Sequence, residues 1–163
     1  MIHYFSQTGN TKLLGDFLKD NINDSKTIYV GFWTDKGNAN QEALDYLKTL
    51  HHQKIFLFGT AGFGKSEEYF KRIINKVKES IDSTNEVVGS FMCQGKMPDS
   101  VLQRYLSLKE SDKAPKNIDL LIENYYEALN HPNEEDLEIT TLEDVVYMGM
   151  KNDTSFIIDH IIN

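Results

Sequence analysis

Through its first two-thirds the chain alternates short apolar runs with longer stretches of helical spacing, and this alternation limits its fold more than any other feature. Ile2–Phe5 reads as a strand, followed by a turn and a helix with Leu13, Leu14, Phe17 and Leu18 on one face. Thr27–Gly31 is a second strand; Gly37–Asn40 is rich in turn formers and leads to a helix carrying Ala43, Leu44, Leu47 and Leu50. Ile55–Gly59 is a third strand, nearly all apolar, as expected when both faces of a sheet are covered. Ser66 is placed to cap a helix with Phe70, Ile73, Ile74, Val77 and Ile81 at helical spacing, and Glu86–Met92 is a fourth strand. Strands and helices in this order predict an α/β fold, a parallel sheet with helices on both faces.

After Pro98 the pattern becomes helical. Val101, Leu102, Tyr105 and Leu106 form one stripe, Pro115 breaks the chain, and Ile118, Leu121, Ile122, Tyr125 and Leu129 form another. Beyond His131-Pro132-Asn133, the acids Glu134, Glu135 and Asp136 sit where the first turn of a helix favours them. This stretch holds no evident fifth strand. The tail from Gly149 ends in the apolar run Phe156-Ile157-Ile158-Asp159-His160-Ile161-Ile162, which is a possible source of one, so the sheet has four or five strands. With no repeat or linker, residues 1–163 read as a single domain.

Charge narrows the function. Against 25 Asp and Glu stand 17 Lys and Arg, a formal net charge of -8, which repels phosphate backbones and anionic lipid but suits a basic protein partner. The expectation is no nucleic acid and no membrane. The lone cysteine, Cys93, forms no internal disulfide and belongs to no CxxC pair. The N-terminus lacks the basic and apolar regions of a signal peptide, and apolar runs such as Ile55–Phe58 fall far short of the ~18 residues of a membrane span. A cytoplasmic location is expected.

Between the first strand and its helix lies Ser6-Gln7-Thr8-Gly9-Asn10-Thr11. Hydroxyls and backbone N–H groups at a helix N-terminus make an anion site with no cationic side chain, and Gly9 lets the backbone close around a phosphate. The plainer alternative is an ordinary capped turn. The run Tyr4-Phe5-Ser6-Gln7-Thr8-Gly9-Asn10-Thr11 resembles the FMN-phosphate loop of flavodoxins, S-x-T-G-x-T after a strand, and the likeness extends over Met1–Pro98. Gly31-Phe32-Trp33-Thr34-Asp35-Lys36-Gly37 and Cys93-Gln94-Gly95-Lys96-Met97 resemble a bacterial flavodoxin-like subfamily, some of whose members accompany bilirubin reductases.

The resemblance implies a flavodoxin-like three-layer α/β sandwich with FMN at the carboxyl ends of the strands, its phosphate at Ser6, Gln7, Thr8, Gly9, Asn10 and Thr11. Thr60-Ala61-Gly62-Phe63-Gly64 takes the place of the first isoalloxazine loop, and Cys93-Gln94-Gly95-Lys96 that of the second. In that arrangement a carbonyl at Gly62 turns to accept the N5–H of half-reduced flavin. Flavodoxins usually stack an aromatic from each of these loops. Here the first holds only Phe63 and Cys93–Met97 holds none, so Trp33 is either the stacking ring or a hydrophobic anchor. The function implied is electron transfer between a reductase and an acceptor enzyme, both redox partner proteins.

Two other classes compete. Gly59-Thr60-Ala61-Gly62-Phe63-Gly64-Lys65-Ser66 matches the P-loop pattern GxxxxGK[ST] and offers a nucleotide kinase or NTPase. Against it, the loop follows the third strand, and no later strand ends in an Asp to hold magnesium. The other is a flavodoxin-like binding module without flavin. His51-His52 has no further ligands at metal spacing, and Cys93 at a strand end is most simply a small buried residue.

Overall fold

A computed structural model describes residues 1–64 and 66–140; Lys65 and the tail from Gly149 lie outside them. The elements run β1 (Ile2–Tyr4), α1 (Asn10–Asn21), β2 (Thr27–Asp35), β3 (Asn38–Ala39), α2 (Gln41–Lys48), β4 (Lys54–Ala61), α3 (Glu67–Lys78), β5 (Glu86–Gln94), α4 (Asp99–Lys109), α5 (Ile118–Ala128) and α6 (Glu134–Thr140). The sheet has five strands: β1, β2, β4 and β5 are parallel in that order, and β3 pairs antiparallel with the end of β2. The β2–β3 turn holds Lys36 (φ 51) and Gly37 (φ 79), the left-handed pair that a two-residue hairpin needs. The turn formers therefore make a hairpin and a fifth strand that the sequence pattern did not predict.

Alternation along the strands divides the core. Val30, Phe32, Ile55 and Leu57 point to one face under Ala43 and Leu47 of α2 and Ile73 and Val77 of α3. Tyr29, Phe56, Phe58 and Val88 point to the other, under Leu14 and Leu18 of α1, with Leu137 of α6 packed alongside. At the β2–β4 ladder Gly31 stands opposite Phe58 and Phe32 opposite Gly59. Each glycine leaves room for the ring across from it. A Cβ at Gly31 would enter the Phe58 ring, and one at Gly59 would lie 2.5 Å from that of Phe32.

The order β1-β2-β4-β5 advances in one direction, yet α1 covers one face while α2 and α3 cover the other. The crossover through α1 therefore has the opposite hand to the next two, although such connections are right-handed in about 98% of cases. A doubly wound sheet of order 2-1-3-4-5 explains the arrangement, because its first helix leads to a strand on the far side of the first. Here α1 keeps that face, but the chain passes directly from Asn21 to β2 at Thr27. The four parallel strands thus occupy the first, third, fourth and fifth places. The strand missing among the described residues is the second, rather than the fifth that the sequence pattern left out.

Candidate functional site

The chain leaves β1 and enters α1 through Gly9, which caps the helix at φ 94, the left-handed region that glycine enters without a Cβ penalty. The Ser6 Oγ accepts from the N–H groups of Gly9 (3.1 Å) and Lys12 (3.2 Å), folding the loop over the helix start. The Asn10 and Thr11 N–H groups lie in the first turn, where no helical acceptor exists, at the positive end of the helix dipole. Lys12 is tied to Asp16, which also accepts from the Tyr4 hydroxyl (3.0 Å). That hydrogen bond to Lys12, and then the one from Tyr4, hold the Asp16 carboxyl below its usual range. The loop itself consequently meets a ligand with neutral dipoles, Lys12 of the first helical turn being paired with Asp16.

Two side chains of this loop serve as stitches. Thr11, 1% exposed, donates its hydroxyl to the Phe32 carbonyl (3.1 Å) and lies 3.0 Å from the Thr60 hydroxyl. Asn10 donates its amide to Thr8 Oγ1 (3.2 Å) and to the Lys96 carbonyl (2.9 Å). The first loop is thereby fastened to β2, β4 and the segment after β5.

These ends enclose a cleft of about 190 Å³. Ser6, Gln7, Thr8, Asn10 and Thr11 line it from the first loop, and Trp33 from β2. Thr60, Ala61 and Gly62 line it from the end of β4, Gly95 and Lys96 from beyond β5. Gly9, Phe63, Gly64, Cys93 and Gln94 are not among the lining residues. Gly9 sets the backbone instead, and Phe63 packs edge-on against Tyr69, ring centroids 5.7 Å apart. A Cβ at Gly64 would meet Phe70 and Gln94. Cys93 is buried, and burial first, then the Asp136 charge, pushes its thiol well up, which leaves it without the thiolate a nucleophile needs. Gln94 and the buried Asn124 of α5 both donate to the Gly62 carbonyl, so that carbonyl is already engaged.

Sequence reasoning missed Thr34, Met97 and Pro98 as lining residues, together with Asn124 behind the wall. The readable signal was Asn124 itself, an amide three residues after Leu121 in an apolar stripe. Thr34 matters most, because its Oγ1 is buried without a hydrogen-bond partner on the cleft wall. A buried hydroxyl in that state is stabilised by a polar ligand atom.

The P-loop reading fits the geometry poorly. Gly59, Thr60 and Ala61 are paired strand residues of β4, opposite Met92, Cys93 and Gln94, so few backbone N–H groups remain to cradle a phosphate. The Ser66 hydroxyl caps α3 by accepting from the Tyr69 N–H (3.1 Å). His51 pairs with Asp82 (3.5 Å), and no metal-binding cluster occurs among the described residues. No helix among them is long and apolar enough to cross a membrane.

A family model described as a flavodoxin domain matches residues 16–146. The chain belongs to the flavodoxin domain family. Two relatives are both called flavodoxin-like domain-containing protein BilS. The one from Clostridium symbiosum (strain WAL-14163) is 40% identical over 119 residues, covering 70% of this chain and 63% of its own length, so the match spans less than two-thirds of that relative. The one from Clostridioides difficile (strain CD3) is 30% identical over 156 residues, covering 84% and 89%. The solution structure of two-electron reduced Megasphaera elsdenii flavodoxin is similar over 77% of this chain and 97% of its own, at 19% identity and a TM-score of 0.40. The flavodoxin-family match begins at Asp16, past the loop of residues 6–11, so the reading of that loop rests on its own residues.

Proposed function

We propose that the chain is a single-domain FMN-binding electron carrier, and that the cleft at the strand ends is its flavin site. The observation that carries this reading is the joining of an uncharged anion-binding helix start to a cleft whose wall holds an orphaned hydroxyl, Thr34 Oγ1. Such a donor set fits a terminal phosphate at one end and a polar ring edge at the other. Bound FMN supplies the electron chemistry, while the protein contributes binding, orientation and exclusion of water.

The strand places revise the loop assignments. In a doubly wound sheet FMN lies at the crevice between the first and third strands, which are β1 and β2 here. The first isoalloxazine loop is then the end of β2, with Trp33 and Thr34 on the cleft, and the second is Thr60–Gly64, which reaches the cleft through Thr60, Ala61 and Gly62. Cys93-Gln94-Gly95-Lys96 moves outward by one strand; Gly95 and Lys96 close the side of the cleft where Asn10 ties them. Trp33 becomes the ring-stacking aromatic, half-buried and braced by hydrogen bonds between its backbone and Asn40. The redox partners are a reductase and an acceptor; the resemblance of residues 31–37 and 93–97 to a subfamily some of whose members accompany bilirubin reductases favours an acceptor of that kind.

Titrating the flavin-free protein with FMN, FAD and riboflavin tests the site. FMN is expected to bind tightest, because only its terminal phosphate fits at the helix start without an attached nucleotide. Riboflavin binding as tightly as FMN would remove the loop of residues 6–11 from the role.

A further inference from the structure

Two large apolar side chains line the cleft without joining either core. Trp33 and Met97 are both half-buried on its wall, and neither packs against the cluster under α2 and α3 or the one under α1. The packing of the fold therefore does not explain them. β4 stands between β2 and β5, so Trp33 at the end of β2 approaches from one side of the β4 end and Met97, beyond β5, from the other. The Met97 side chain lies across Gly62. A Cβ there would come 2.5 Å from its Sδ and 2.6 Å from its Cγ, so glycine alone leaves the thioether this seat on the wall. The backbone before Met97 is fastened on three sides. The Gly95 N–H donates to the Ala61 carbonyl (2.9 Å), the Lys96 N–H donates to the His131 carbonyl (2.9 Å), and the Lys96 carbonyl accepts from Asn10 Nδ2 (2.9 Å). Phe63, the aromatic of the loop after β4, is engaged with Tyr69 and lies off the cleft.

We propose that Met97 is the second ring contact of the flavin site: the flavin ring lies between the Trp33 indole and the Met97 thioether seated on Gly62. The proposal rests on the flavin reading of the cleft. An unbranched side chain with a polarisable sulfur fits an aromatic surface and is attracted to it. The ring then needs no second aromatic, in keeping with loops after β4 and β5 that bring none to the cleft. Both contacts are uncharged, and the polar edge of the ring is left to groups such as Thr34 Oγ1.

The test measures FMN and riboflavin affinity of Met97→Ala beside the parent protein, together with the thermal midpoint of the flavin-free forms. Both flavins carry the ring, so both are expected to bind about threefold to tenfold more weakly, by a common factor. Met97→Leu keeps the bulk and is expected to recover most of that loss. Met97→Gln sets a polar end against the ring and is expected to weaken both flavins; it carries the test where Met97→Ala does not fold. A lower thermal midpoint with unchanged affinities would make Met97 merely structural and overturn the proposal. A loss confined to FMN would put Met97 at the phosphate instead of the ring, and overturns it equally. A parent protein that binds no FMN overturns the flavin reading, and this contact with it. A parent that binds FMN beside variants that match it in affinity overturns the contact alone.

Discussion

Phe32 and Phe58 lie on adjacent strands and opposite faces, each over a glycine of the other strand. The two rings lie one to three residues before the strand ends that form the cleft, so their fit sets the spacing of β2 and β4 beneath it. Gly59→Ala places a methyl 2.5 Å from the Phe32 ring, which must shift in a buried, filled core. The expected cost is ~1–3 kcal/mol, the usual range for overpacking. Urea unfolding of Gly59→Ala measures it, and the double variant Phe32→Leu, Gly59→Ala should cost less than the sum of the singles. Additive costs would show that ring and glycine do not share this contact. The sequence displayed these residues as apolar runs, and strand periodicity alone indicated opposite faces. The pairing itself was illegible, because it depends on a register that only the assembled sheet possesses.

At the level of elements, helices were the more legible. Their apolar stripes repeat over several turns: five of the six described helices fall where that spacing predicts them, and α6 where the acids Glu134, Glu135 and Asp136 mark a first turn. Strand ends were not. β2 continues to Asp35, β4 to Ala61 and β5 to Gln94, so that Phe32–Asp35, Thr60-Ala61 and Cys93-Gln94 join strands that the apolar pattern ends before them. Their ladders continue, Thr34 and Asp35 pairing with β3, and Thr60 and Ala61 with Cys93 and Gln94. The six-residue loop after β1 was legible as the capped start of a helix, whereas the uses of Thr11 and Asn10 as ties were not, since their partners are distant in sequence. Ser66 is an element-scale case in which two readings diverge. As the cap of α3, Ser66→Ala is expected to cost ~1 kcal/mol of stability and leave FMN affinity unchanged. Equilibrium unfolding beside a flavin titration checks both. Loss of a magnesium-dependent ATPase in that variant would instead restore the P-loop reading.

Across the whole molecule, the arrangement of layers was legible and the identity of the missing strand was not. Counting strands along the chain cannot distinguish a sheet that lacks its second strand from one that lacks its fifth; only the face on which α1 lies does so. The charge of -8 is likewise a property of the whole. Electron transfer to a basic haem protein is expected to slow as salt rises, since surface charges are screened beyond ~8 Å near physiological ionic strength. A stopped-flow rate that stays flat from low to high salt would contradict steering by charge. The missing second strand also bears on how copies of the protein behave toward one another. Among the described residues β1 has no neighbour on its far side, which leaves a rim of unpaired backbone that in other sheets invites stacking into fibrils. At three residues β1 is too short a template for a second sheet to zip onto, so this rim of the described residues has little tendency to aggregate.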